Sequence, residues 1–217
     1  MKPALILDTS TERGVVALVA EGKLLFLAEL PFGLQNSQFL LPELQRGLAL
    51  TGISLPQLAY IGVGVGPGSY TGMRIGATVA KCFSLACQLP VIGVCSLHTF
   101  VPTHDTSFAA LIDAKIGGVY LQRGESVAST VSYEQEPQVC PLSQAVELLR
   151  HIPYLITPNA VQLRPKMEAL APQVAWQWNE SYPAPLRLAE LAEEKYTRGE
   201  FSAEGQLELL YMRKPVV

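Results

Sequence analysis

Charge is scarce in this chain. Of 217 residues, 16 are Lys or Arg and 19 are Asp or Glu, so charged residues make up 16% of the chain and the net charge is −3. An ordinary domain carries about 25%. There is no basic run, which argues against strong independent binding to nucleic acid. Histidine is scarcer still, with only His98, His104 and His151. None lies four residues from another and no His-Glu-x-x-His occurs, so a metal site on a helix is excluded and no metal is expected. Cys82, Cys87, Cys95 and Cys140 form no Cys-x-x-Cys pair. Without a secretory signal after Met1-Lys2-Pro3, they read as reduced, mostly buried thiols of a cytoplasmic protein. The long uncharged stretch from Cys82 to His104 is interrupted by Gln88, Pro90, His98 and Pro102, so no membrane span is expected.

The scarcity is uneven. Residues 1–104 hold 6 basic and 5 acidic groups, and residues 105–217 hold 10 and 14. Eleven charges leave little to cover the surface of the first half, and an exposed apolar patch implies a partner.

Glycine, by contrast, is concentrated. Residues 62–76 read GVGVGPGSYTGMRIG, a glycine-dense turn between a short apolar run and a helix starting near Thr71. A dinucleotide fingerprint needs G-x-G-x-x-G, but the sixth position is Ser69 counted from Gly64 and Thr71 counted from Gly66. A P-loop needs a Gly-Lys pair, and the first basic residue here is Arg74. Only the generic strand–turn–helix signal remains. In the helix, Gly72, Gly76 and Ala80 lie along one face, while Ile75, Val79, Phe83 and Ala86 form a bulkier face suited to a sheet. Each helical glycine costs about 1 kcal/mol relative to alanine. Something must therefore approach that backbone closely, either another part of the same chain or a second polypeptide.

The hydropathy pattern predicts strands over 4–8, 14–19, 23–30, 58–65 and 91–94, and helices over 36–50 and 71–87. Asn36 or Ser37 would cap the first helix, with Leu40, Leu41, Leu44 and Leu48 on one side, and Pro42 would kink it or limit its first turn. Ser69 or Thr71 would cap the second. The pattern restarts about 105 residues later: an apolar run closes in Asp113 and is followed by Gly118-Val119-Tyr120-Leu121, as Asp8 is followed by Gly14-Val15-Val16-Ala17-Leu18. Helices near 143–150 and 159–170 flank a strand at 154–157, and a long helix runs from Pro185 to Arg198. Together these suggest a duplicated β-β-β-α-β-α unit in an α/β protein. The first lobe is 1–104. The second, 105–217, is smaller and degenerate; its C-terminal helix and tail either stay with it or pack back on the first lobe.

The segments ILDTSTERGVVALV, NSQFLLPEL, GVGPGSYTGMRIG, IDAKIGGVY and the terminal LLYMRK resemble the TsaB (YeaZ) family, most specifically through GPGSYTGMRIG. That resemblance implies a two-lobed actin-like ATPase (ribonuclease H-like) fold. It also implies a non-catalytic role in tRNA threonylcarbamoyladenosine modification, as the dimerisation and activation subunit for transfer to adenosine 37. The implied partners are a TsaD-type catalytic subunit carrying His-x-x-x-His and a TsaE-type ATPase, with tRNA met only through the complex and a homodimer formed when alone. The partner surface implied for the two first-lobe helices is Gln38, Leu41, Gln45, Tyr70, Gly72, Met73, Gly76 and Ala80. On this reading Gly76→Arg leaves a folded protein that no longer associates. The chain departs from the family at Asn36-Ser37-Gln38, around Thr157-Pro158-Asn159 in place of glycines, and at Leu209 and Met212.

In nucleotide-hydrolysing members of such a fold, aspartates placed like Asp8 and Asp113 orient a magnesium-bound phosphate. Asp8, Thr9, Ser10, Asp113 and Gly117 are therefore candidates for weak nucleotide or phosphate binding. The competing reading is that each aspartate satisfies amides of its own turn. No cofactor is expected, and a small ATP-dependent kinase or ATPase is the alternative function. His104-Asp105 reads as a solvated pair, Trp176, Trp178 and Tyr182 as packing residues, and Tyr70 as an outward anchor. No catalytic residue is assigned and peptidase activity is not expected.

Overall fold

The computed structural model describes residues 2–31, 36–116, 118–201 and 206–212. Contacts divide the chain into one unit of Met1–Thr99 with Pro183–Tyr211 and another of Phe100–Tyr182 with Met212.

In the first unit, β1 (Ala4–Asp8), β2 (Val15–Ala20) and β3 (Lys23–Glu29) form an antiparallel meander. Helix α1 (Asn36–Thr51) leads to β4 (Ile61–Gly64), and α2 (Tyr70–Cys87) leads to β5 (Val91–Val94). The sheet order is β3-β2-β1-β4-β5. β4 lies parallel to β1, Leu5 opposite Ile61, and β5 lies parallel to β4. Parallel neighbours need crossover connections, which α1 and α2 supply.

β1 is buried along its whole length because both faces of the sheet are covered. Leu5 and Leu7 join Val16, Leu18, Ile61 and Val63 beneath Leu40 and Leu44 of α1 and Ala77 and Ala80 of α2. Ala4 and Ile6 face the other way, with Ala17, Ile92 and Val94, against Leu188, Ala189 and Ala192 of α5 (Pro185–Thr197). The segment 206–211 also belongs here. Leu207 and Leu209 pack into the α1/α2 core, and the Leu210 amide donates to the Val65 carbonyl at 3.0 Å.

The second unit repeats the order as β8-β7-β6-β10-β11. β6 (Thr106–Asp113), β7 (Gly118–Val127) and β8 (Thr130–Tyr133) form the meander, and β9 (Gln138–Pro141) pairs with β7. α3 (Leu142–Leu149), β10 (Tyr154–Thr157), α4 (Ala160–Leu170) and β11 (Gln177–Glu180) follow. One face of this sheet, with Leu111, Leu121 and Leu155, is covered by Val146, Leu149, Leu163 and Met167. Trp176 is core, its indole N–H donating to the Leu149 carbonyl at 3.0 Å, with Trp178 edge-on to it.

Several sequence expectations are corrected. β8, β9 and β11 escape the pattern because they are short, and β8 and β11 bury little side-chain surface. β4 is shorter than the expected 58–65, running Ile61–Gly64, with a 3₁₀ turn at Leu55–Gln57 before it. Pro42 lies inside α1 beyond its first turn, so it does not limit that turn. Leu41 turns outward, 49% exposed, while Leu40 and Leu44 point in. Cys82 is exposed, Cys87 and Cys95 are half-buried, and only Cys140 is buried. No helix among the described residues is long and apolar enough to cross a membrane.

The segment 206–211 is expected to contribute to stability rather than to trail. Leu207→Ala should cost about 2–4 kcal/mol of unfolding free energy through the cavity it leaves, read from the urea midpoint; an unchanged midpoint would show that the segment is not bound in solution.

Candidate functional site

The β1–β2 turn is where the chain's unusual residues converge. Asp8, Thr9, Ser10 and Thr11 are all buried. The Thr9 hydroxyl donates to the Gly72 carbonyl at 2.7 Å and accepts from the Gly76 amide at 3.1 Å. These are the two groups that one helical hydrogen bond would join, so a side chain from another element enters the ladder of α2. A Cβ on Gly72 would collide with the Thr9 carbonyl, and one on Gly76 would lie 2.6 Å from the Thr9 hydroxyl. The Ser69 amide donates to the Ser10 carbonyl at 2.7 Å. At the start of α2, Ser69 is the cap, its hydroxyl accepting from the Gly72 amide at 3.2 Å.

The small-residue face of α2 is therefore covered by its own chain. Gly72, Met73, Gly76 and Ala80 are buried, which corrects the expectation of a bare ridge. The bulky face is the half-exposed one: Ile75, Val79 and Phe83 pack at the edge of the core and Ala86 is exposed. What α2 turns to solvent is Thr71, Arg74, Thr78, Cys82 and Leu85, the last 63% exposed. On α1, Gln38, Leu41 and Gln45 are exposed, as are Phe39 and Leu50. The exposed charges on the two helices are Arg46 and Arg74, and Arg46 is paired with Glu43. Arg74 is drawn in: its guanidinium lies 3.9 Å from the Tyr70 ring centroid, it donates to the Tyr70 hydroxyl, and its Nε donates to the Tyr211 hydroxyl at 3.1 Å. The Tyr70 and Tyr211 rings sit 4.9 Å apart. The pairing of Arg74 with a tyrosine so distant in sequence had no sequence signal.

Asp8 and Asp113 hold equivalent places. Each accepts at Oδ1 from the amide two residues on, Ser10 and Lys115 respectively, at 2.8 Å. Their surroundings differ. Asp113 is half-buried, with Lys115 Nζ 3.7 Å from Oδ2. Its amide donates to Asn159 Oδ1 at 3.0 Å, and the Asn159 amide donates to the Thr157 hydroxyl at 3.0 Å. The residues standing in place of the family's glycines thus brace the aspartate. Gly117 lies outside the described residues, as do Arg213 and Lys214.

Asp8 is fully buried over Gly64, where any Cβ would strike its carboxylate. Its Oδ2 has no hydrogen-bond partner in normal geometry, nor has the Ser10 hydroxyl. Burial raises the Asp8 pKa above the ordinary 3.8, tempered by the Ser10 hydroxyl and amide and by the Ser96 hydroxyl. Ser96 in turn holds the glycine turn: its hydroxyl accepts from the Gly66 amide at 3.1 Å and its amide donates to the Gly66 carbonyl at 2.7 Å. Burial likewise pushes the neighbouring Cys95 thiol up to about 11, an unreactive state.

A phosphate at this turn would need free amides and an open approach. The Ser10 amide is committed to Asp8, the Thr9 and Ser10 carbonyls press on Gly72 and Gly68, and all four side chains are buried. As placed, Asp8, Thr9 and Ser10 do not fit the group. Among the described residues no cluster of three His, Cys, Asp or Glu could hold a metal. His104 stacks edge-on against Tyr154, and Asp105 accepts from the Ala128 amide at 3.0 Å, so the two make no dyad.

A family model described as TsaD, tRNA N6-adenosine threonylcarbamoyltransferase, matches residues 35–186. The Escherichia coli protein named tRNA threonylcarbamoyladenosine biosynthesis protein TsaB is 38% identical over 121 residues, which is 54% of this chain and 52% of its own; that alignment spans about half of each. The Haemophilus influenzae protein of the same name is 29% identical, over 98% of this chain and 94% of its own. A solved Pseudomonas aeruginosa structure, of an uncharacterized protein described as similar to peptidase YeaZ, matches with a TM-score of 0.82 at 26% identity, covering 98% of this chain and 100% of the other.

The raised Asp8 pKa fixes the sign of a pH effect. The folded state holds this proton more tightly than the unfolded chain, so the associated stability is full below the unfolded pKa and is lost as pH rises through the folded one. Asp8→Asn keeps the Oδ1 acceptor and removes the buried charge. Its urea midpoint should exceed the wild-type value at pH 7.5, with the gain shrinking as pH falls toward 4; a gain independent of pH would refute the buried charge.

Proposed function

The chain belongs to the TsaB (YeaZ) group of the family that the TsaD model describes, and on that footing we propose that it serves tRNA threonylcarbamoyladenosine biosynthesis as a non-catalytic subunit. Its two-lobed actin-like fold docks a TsaD-type catalytic subunit through α1 and α2. The reading is carried by the outward stripes of these helices. Gln38, Leu41 and Gln45 face solvent on α1, and Thr78, Cys82 and Leu85 face solvent on α2, all six uncharged. A charge-depleted patch carrying exposed leucines is what an interface core looks like before it is covered. Tyr70 and Arg74, of residue types enriched at binding hot spots, stand at its edge, held by Tyr211.

The subunit supplies no metal ligand or nucleophile, and a TsaE-type ATPase and tRNA are met only in the assembly. Alone, the same patch pairs two copies. Non-catalytic status agrees with Asp8 lying under Gly64 and α2. Nucleotide binding is weak or nil, and calorimetric titration with magnesium and ATP should give no micromolar isotherm. A micromolar isotherm with turnover would establish instead an ATPase of the same fold.

Docking is tested by two arginines on opposite sides of one helix. Thr78 is exposed, so Thr78→Arg should leave the unfolding free energy within about 0.5 kcal/mol of wild type, as surface substitutions do. It should nonetheless weaken association with a TsaD-type subunit at least about tenfold, in line with loss of a hot-spot contact. Gly76→Arg should fail earlier, as a loss of folding, because even a methyl group lacks room beneath Thr9. A folded Thr78→Arg protein that still co-elutes with the catalytic subunit would overturn the reading.

A further inference from the structure

The other face of the first sheet is hollowed. On the side away from α1 and α2, where α5 crosses the sheet, lies a cavity of about 590 Å³, well within the range of small-molecule sites. It is formed by the start of β1, the β2–β3 turn, the entries to β4 and β5, and the stripe of α5 that includes Leu186, Ala189, Glu193 and Tyr196. Its wall is aromatic: the Tyr60 and Tyr196 centroids are 4.8 Å apart, and Tyr196 and Phe201 are 5.7 Å apart. Glu21, Glu190, Glu193 and Lys2 are the charged residues of its lining.

We propose that this cavity binds a small organic cation of the alkylammonium class. Aromatic faces attract a cation through the ring quadrupole, most strongly where water is displaced. Tyr60 is buried, and its hydroxyl is pushed up to about 12 by burial, then by Glu193 and Tyr196. It is therefore a neutral phenol at physiological pH, and Glu193 lines the same cavity. Glu190 is engaged by Arg187 at 3.0 Å. Glu193 is half-buried and makes no ion pair among the described residues, so it is the carboxylate left to meet a ligand's charge. An anion would face the Glu193 carboxylate, which makes no ion pair among the described residues. An uncharged hydrocarbon would desolvate Glu193 with nothing to pair it. An alkylammonium group satisfies the carboxylate and the rings together.

The proposal does not rest on the docking role, which uses the opposite face of the sheet, so the two fail separately. The probes are choline and its uncharged carbon isostere dimethylbutanol, titrated into the full chain by ligand-detected NMR and calorimetry. Choline should bind with a Kd on the order of 1 mM or tighter, and the isostere about tenfold more weakly, the size of a desolvated cation–π contribution of about 1.4 kcal/mol or more. Glu193→Gln, at a half-buried position, should weaken choline about tenfold with an unchanged urea midpoint, and Tyr196→Leu should weaken it severalfold. No binding of choline, equal binding of the isostere, or unchanged affinity in a folded Glu193→Gln protein would each overturn the proposal.

Discussion

One hydroxyl organises the first unit. Thr9 stands between the Gly72 carbonyl and the Gly76 amide, bonded to both, and this requires the β1–β2 turn to lie against the backbone of α2. Only glycine leaves room there, so two costly helical glycines are explained by a contact made 63 and 67 residues away. The consequences spread outward. Ser10 receives the amide of Ser69 through its carbonyl, Asp8 is pressed over Gly64, and Ser96 clasps the turn that joins β4 to α2. The end of β1 is closed by its own neighbours.

That closure separates the two halves of an internal repeat. Asp8 and Asp113 begin from the same place, at the end of the first strand of a sheet with the same order, each taking the amide two residues on. In the first unit the carboxylate is sealed and its pKa raised. In the second it is half-buried beside Lys115, and Asn159 holds its backbone. Duplication kept the topology, while local packing set two different electrostatic environments.

The sealed turn also decides which surface of α2 is left over. With the glycine face covered, Thr78, Cys82 and Leu85 meet solvent on α2, as Leu41 and Gln45 do on α1. On the other side of the same sheet, α5 leaves a cavity walled by Tyr60, Tyr196 and Phe201. A five-stranded sheet covered on both faces thus carries exposed leucines on the helices of one side and an aromatic hollow on the other.

The sequence by itself determined the periodic elements. The apolar runs ending in Asp8 and Asp113, the helices from Asn36 and Tyr70, and the repeat of the unit all follow from hydropathy and turn residues, which are local properties. It also located the residues that matter, since paired glycines in a helix demand a close neighbour. Only the tertiary structure decided which neighbour. A spacing of four says that Gly72 and Gly76 share a face, but whether that face meets Thr9 or another molecule depends on a turn far away in the chain. For the same reason Leu41 could not be told from Leu40, β8, β9 and β11 were invisible in their own residues, and the tie from Tyr211 to Arg74 left no local mark. Contacts between distant segments are set by the packing of whole elements, which no window along the chain contains.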